Sequence, residues 1–220
     1  MRLGFNEAND RFCQGHTVMQ DLELCEKYGF DCIDIQSECL NRDLEKGIVT
    51  IEELGAWFAT HHLKMLSYNA LCFFNMKQTA EEKQAVMDEL DEIIRRCNIL
   101  GCKMIVVVPS QDMKARGLQP TRKEIREDAV AVLKEMVKKV EPHGIKLSLE
   151  FCGAPDMTIN RFEDAYAIVE AVDSPLVGVT LDQYHFYAMG SGWESLEKAD
   201  GKKIFVWHLN GTEDMPCGAY

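Results

Sequence analysis

Three apolar runs of this chain each carry, at or near their end, a group that binds protons or metal ions. KLSLEF holds Glu150, VGVTLD ends on Asp182, and KIFVWHLN holds His208. Two carboxylates and an imidazole are a suitable donor set for a divalent ion such as Mn2+, Zn2+ or Co2+. They meet only if the three runs are successive parallel strands, because parallel α/β architectures bind ligands at the carboxyl ends of their strands. The same rule adds Asn6 and Glu7, Gln36, Asn69 and Pro109 to the residues at that end. Each has a blander reading when taken alone. A carboxylate at a strand end commonly caps a helix or faces solvent, and a histidine within an apolar strand is more often hydrogen-bonded than metal-bound. His185, three residues past Asp182, either fills the start of a loop or supplies a substrate hydrogen bond or proton relay. His61 and His62 end a helix, where they serve its dipole, and no chemistry is assigned to them.

What must position these groups is an alternation of short apolar runs with longer amphipathic ones. The apolar runs are RLGFNE (2–7), CIDIQ (32–36), LKMLSYNA (63–70), KMIVVVP (103–109), KLSLEF (146–151), VGVTLD (177–182) and KIFVWHLN (203–210). The three consecutive valines of the fourth suit a parallel strand buried on both faces. Between them the pattern predicts helices over 17–29, closed by Gly29; over 50–62, opened by a Thr50/Glu53 capping box; and over about 79–100, closed by Gly101. Further helices are expected over about 120–140, over 161–172 with Asn160 as its cap, and as a short turn over 194–200. Trp57, Phe58, Ile168 and Val169 suit the core or a helix-sheet interface. Seven strand-helix units of about 30 residues each make a parallel sheet with helical crossovers. Two architectures fit, an open doubly wound sheet or a closed (β/α)8 barrel of about 250 residues. No strand is followed by a G-x-G-x-x-G loop, which counts against a dinucleotide-binding fold.

Composition narrows the class. The chain has 220 residues, 46% hydrophobic and 27% charged, and reads as a single globular domain over 1–220. A net charge of −12 disfavours nucleic-acid backbones and anionic membranes as partners. The longest apolar run, around Met104 to Val108, is far short of the roughly 20 residues of a membrane-spanning helix. MRLGFNEAND lacks the basic head and apolar stretch of a secretion signal, so a cytoplasmic location is expected. Nine cysteines without a C-x-x-C pair read as reduced thiols.

At the candidate site the sequence resembles a known family. LSLEFCG around Glu150, LDQYHFYAMGS around Asp182 and His185, and ADGKKIFVWHLNGTEDMP around His208 are similar to the xylose-isomerase-like TIM barrels. FNEA, DLELCEKYGFD and NALCFFN extend the likeness along the chain and narrow it to the branch that isomerises keto-inositols (inososes). The spacings 182 − 150 = 32 and 208 − 182 = 26 are also similar to the family's. The resemblance implies a divalent metal on Glu150, Asp182 and His208, Glu150 as the acid-base group, and His185 on the substrate; the strand-end residues Asn6 and Asn69 are expected as further substrate contacts. The implied reaction shifts the carbonyl of a small polyol ketone to the adjacent carbon through an enediolate. The family pattern adds a glutamate on an eighth strand and an arginine after the seventh, and the sequence ends at Tyr220 without them. The expectation is therefore an incomplete barrel lacking its eighth βα unit, with low turnover and with self-association through open sheet edges. The alternatives weighed are a ketose 3-epimerase of the same fold and a non-catalytic metal- or sugar-binding remnant. A nuclease of the fold fits poorly with the acidic charge.

Overall fold

The computed structural model describes residues 2–9, 13 and 15–211. Residues 1, 10 and 212–216 and Cys217, which belong to segments singled out above, lie outside them. In chain order the elements are β1 (Gly4–Asn6), α1 (Val18–Tyr28), β2 (Cys32–Gln36), α2 (Ser37–Glu45), α3 (Ile51–Thr60) and β3 (Lys64–Cys72). They continue as α4 (Ala80–Leu100), β4 (Met104–Val108), α5 (Arg122–Val140), β5 (Lys146–Glu150), α6 (Phe162–Val172) and β6 (Val177–Asp182). The last are α7 (Gln183–Ala188), α8 (Trp193–Glu197) and β7 (Ile204–His208). Short 3-10 turns follow β1 and α5 and precede β7. Among the described residues no helix is long and apolar enough to cross a membrane.

The seven strands follow one another in sheet order as in sequence. The chain packs into two compact units, one of residues 1–71 and 89–105, the other of 72–88 and 106–220. In the first, β1, β2 and β3 pair in parallel, with Asp34 beside Ser67 and Gln36 beside Asn69. All five residues of β2 are buried, as expected of a strand covered on both faces. Ile33 and Ile35, with Leu22, Leu40, Leu54 and Leu90, are fully buried. Helix starts here follow local chemistry. Thr17 with Gln20, and Thr50 with Glu53, form capping boxes in which side chain and backbone satisfy each other's free donors. Gly29 ends α1 at φ 75°, a left-handed conformation that costs glycine little.

In the second unit β5, β6 and β7 pair in parallel, Glu150 beside Thr180 and Asp182 beside His208. All six residues of β6 are buried. Leu147 and Leu149 of β5, Val179 of β6, and Phe162 and Val169 of α6 are all fully buried. Thr121 and Glu124 supply the capping box of α5.

Two local expectations need correction. Asn160 does not cap α6: Arg161 is the N-cap and its side chain makes no capping bond. Asn160 instead donates through Nδ2 to the Ala154 carbonyl at 3.0 Å, closing the β5-α6 loop, while Ser191 Oγ accepts from the Phe162 N–H at 3.0 Å. Two helices, α2 and α7, occupy segments read as connections. His61, at the end of α3, holds its ring against Trp57, with centroids 3.8 Å apart and Nδ1 2.7 Å from the Trp57 carbonyl.

Candidate metal centre

Side chains along a strand alternate between faces, so Ser148 and Glu150 of β5 share a face, as do Thr180 and Asp182 of β6. Ser148 Oγ and Thr180 Oγ1 meet at 2.6 Å in one layer. The next layer toward the carboxyl end holds Glu150 and Asp182, joined by His208, the register partner of Asp182. All three are at least nine-tenths buried. His208 Nδ1 lies 3.0 Å from Glu150 Oε1 and 3.8 Å from Asp182 Oδ2. The three strand-end groups singled out in the sequence are therefore in one place.

His185 joins them. Donor atoms of Glu150, Asp182 and His185 all lie within 4.8 Å of one another. The cause is local: Asp182 is also the N-cap of α7, its Oδ1 accepting the His185 N–H at 2.8 Å. The cap fixes where the first turn starts, and the imidazole three residues on returns to the cap's side of the helix. Asn210 holds the other end of this arrangement. Its Nδ2 donates to Asp182 Oδ2 at 2.9 Å, and its Oδ1 accepts the Tyr184 N–H at 2.8 Å. Gly153 lets α7 come close: a Cβ there would sit 2.7 Å from His185 Cα and 3.0 Å from its carbonyl oxygen. Cys152, beside the cluster, has its thiol pushed well up by burial, with the Glu150, Cys72 and Asp182 charges adding to the effect. It is a neutral neighbour.

The fit of a divalent cation can be judged on two features. Two carboxylates sit almost fully buried side by side, an arrangement whose cost a cation offsets. His185 Nδ1 is buried with no hydrogen-bond partner, an orphan that costs about 1–3 kcal/mol unless a ligand or cation engages it. Two carboxylates with two imidazoles suit zinc, manganese or cobalt. The cluster thus contains every metal candidate of the sequence and the one imidazole set apart from them. The Asp182-to-His185 spacing, read as a capped helix start, is the signal that would have found this. Gly153 and Asn210 carry no such signal on their own.

The remaining polar candidates of the strand ends lie in the first unit. Asn6 Oδ1 accepts from the Ala8 N–H at 2.9 Å and from Gln36 Nε2 at 3.3 Å, while Glu7 Oε2 accepts the Gln36 N–H at 2.7 Å. Asn69, at 7% exposure, donates through Nδ2 to Asp34 Oδ2 at 3.1 Å. Ser67 Oγ donates to Asp34 Oδ1 at 2.5 Å. In the second unit, Pro109 follows β4 and is buried. There too a cavity of about 1080 Å³ lies between the β4-α5 and β5-α6 loops and helices α5 and α6, and none of the four cluster residues lines it. Size alone does not mark the chemistry here, since the converging donors are elsewhere.

Three comparisons bear on this geometry. A family model described as xylose isomerase-like TIM barrel matches residues 22–218. An inosose isomerase of Bacillus subtilis (strain 168) is 41% identical over 218 residues, which is 99% of this chain and 76% of that protein. An inosose isomerase of Bacillus velezensis is 40% identical over 218 residues, 99% of this chain and 75% of that protein. Among solved structures, the IolI protein crystallised with a zinc atom superposes with a TM-score of 0.92 at 41% identity, covering 100% of this chain and 76% of that one.

Proposed function

The chain belongs to the xylose isomerase-like TIM barrels, and from that premise we propose that it is a zinc-dependent isomerase that moves the carbonyl of a keto-inositol to the adjacent carbon. The observation that carries the reading is the cluster of buried Glu150, Asp182 and His208 at the carboxyl ends of β5, β6 and β7, with half-buried His185 of α7 beside them. The relatives named for inosose isomerisation support the substrate class, and the zinc of the IolI crystal supports the ion. Glu150, Asp182 and His208 would hold it, since their donors are closely set and sit on strands. A cytoplasmic setting suits eight described cysteines that are all free thiols.

The chain's own residues do the following. Asp182 is held by the His185 N–H and Asn210 Nδ2, so its orientation is set before any ligand arrives. His185 Nδ1, unpartnered and buried, faces the reacting polyol as a hydrogen-bond group. Asn6 and Asn69, at the ends of β1 and β3, supply further substrate contacts. Glu150 takes the proton from the carbon that bears the hydroxyl next to the carbonyl. The electron pair left behind forms the double bond of an enediolate, the carbonyl oxygen taking the negative charge. Glu150 returns the proton to the former carbonyl carbon, while the neighbouring hydroxyl passes its own proton to the former carbonyl oxygen, so that the first becomes the new carbonyl and the second the new hydroxyl. A divalent cation, when bound, polarises the carbonyl and acidifies that C–H.

The test is metal content by elemental analysis together with isomerisation of a keto-inositol. The zinc-loaded chain is expected to carry one ion and to turn over slowly. Asp182→Ala/His208→Ala is expected to lose both, whereas His185→Ala keeps the ion and weakens substrate binding. An unchanged ion content in the double variant refutes the site.

A further inference from the structure

We propose that Asp34 is a positioning residue that fixes which end of the Asn69 amide meets the substrate, so that Asn69 presents Oδ1 as an acceptor for a substrate hydroxyl. The proposal deepens the functional reading above and rests on it, because it takes Asn69 as a substrate contact.

An amide side chain is ambiguous by itself: Oδ1 accepts, Nδ2 donates, and a half-turn about the last bond exchanges them at almost no steric cost. A binding site that uses such a group must remove the ambiguity. Asp34 does so. A carboxylate only accepts, so the group of Asn69 that faces it, 3.1 Å away, has to be the NH2. Asp34 cannot turn away, since its other oxygen takes the Ser67 hydroxyl at 2.5 Å. All three side chains are buried, with Asp34 2% exposed, Ser67 0% and Asn69 7%. The pleat places them together: Asp34 pairs in register with Ser67, and Asn69 is two residues on, on the same face. Asn69 is the outermost of the three, and its Oδ1 accepts no bond from a described residue. What Asn69 has left to offer is an acceptor, and the chemistry that matches an acceptor is a hydroxyl group, the recurring group of a polyol. Asn6 at the end of β1 contrasts with it: there Oδ1 is used twice within the protein, and only the NH2 remains to offer. The two asparagines therefore present opposite ends.

The experiment uses an exchange of the two residue types. Asn69→Asp keeps an outward oxygen but sets two carboxylates face to face where 3.1 Å now separates donor and acceptor. Dissociation constants for myo-inositol and for a keto-inositol on the zinc-loaded chain should rise about 10- to 100-fold, the range expected for a mismatched buried polar contact. Adding Asp34→Asn restores a donor opposite the carboxylate introduced on β3, and the double variant should return to within about threefold of wild type. In parallel, the side-chain NH2 protons of Asn69, followed by NMR in protein labelled with 15N-asparagine, should be protected from exchange in wild type and lose that protection in Asp34→Ala. This readout needs no ligand. A double variant that binds no better than Asn69→Asp, or NH2 protons indifferent to Asp34→Ala, overturns the proposal. If Asp34→Ala does not fold, the exchange pair decides alone. Protected NH2 protons in a wild type that binds neither polyol would leave Asp34 holding the amide but refute the functional reading, and with it the role proposed for Asn69.

Discussion

Replacing Gly153 by alanine adds a single methyl group, and the structure says where it goes. The new Cβ would lie 2.7 Å from His185 Cα, 3.0 Å from the His185 carbonyl oxygen and 3.1 Å from Ala188 Cβ. Ordinary contact begins near 3.4 Å, so the first turn of α7 has to retreat by about 0.7 Å, the difference between 3.4 and 2.7 Å. Two of the three obstacles belong to helix backbone, which yields only if the helix shifts as a body. Overpacking of this kind costs about 1–3 kcal/mol. It also strains the 2.8 Å bond from the His185 N–H that orients Asp182, one of the three proposed ion-holding groups, in a site where about 0.5 Å decides productive geometry. Gly153→Ala is therefore expected to lower the unfolding free energy by about 1–3 kcal/mol in a denaturant titration and to weaken zinc or cobalt binding at least several-fold in a chelator competition. Gly192→Ala is the control, since nothing lies within 4 Å of a Cβ there. If the two variants match in stability and in metal affinity, the argument that α7 is seated by Gly153 is wrong.

Two further outcomes follow from other parts of the fold. The Glu92 carboxylate is held down to about 2, first by the hydrogen bond from Arg95 and, against some burial, by Arg96. Its stabilisation is present above the ordinary carboxylate value and is lost as pH falls from about 4.5 toward 2. Since Glu92 is 43% exposed, solvent screening limits the effect to about 1 kcal/mol. Glu92→Gln should lie below wild type by that margin in unfolding titrations above about pH 5 and converge with it below about pH 2, and a constant offset across this range would contradict the assignment. Thr121→Ala removes the side-chain acceptor for the Glu124 N–H at 3.2 Å and should cost about 1 kcal/mol, read as a lower thermal midpoint with metal affinity unchanged.

The strands and most helices were legible because their signals are local. CIDIQ is a strand end to end, and Thr50 with Glu53 announces α3, since apolar periodicity and capping chemistry act within a few residues. Glu150, Asp182 and His208 could be placed together for the same reason: parallel strands in sequence order put their ends side by side. What was missed depends on partners far along the chain. The start of α2 has no side-chain cap, Gln36 making no such bond, so nothing in the sequence marks it. Asn160 has the right residue type for a cap, yet Ser191, 29 residues beyond Phe162, accepts the N–H instead. The hold of Asp34 on Asn69 spans 35 residues and appears only once the register of β2 and β3 is known.

Asp182, the last residue of a strand, is also the cap of a helix and a member of the donor cluster, and these last two duties share the same two carboxylate oxygens. Whatever draws on those oxygens is felt at the start of α7, because the His185 N–H and Asn210 hang from the same carboxylate. With Asp182 as a ligand, cation affinity and the seating of α7 become linked quantities. If an ion tightens that turn by some factor, loosening the turn must weaken the ion by the same factor. If Asp182 holds an ion as proposed, its affinity can thus be changed from the far end of α7, by residues that never approach the ion.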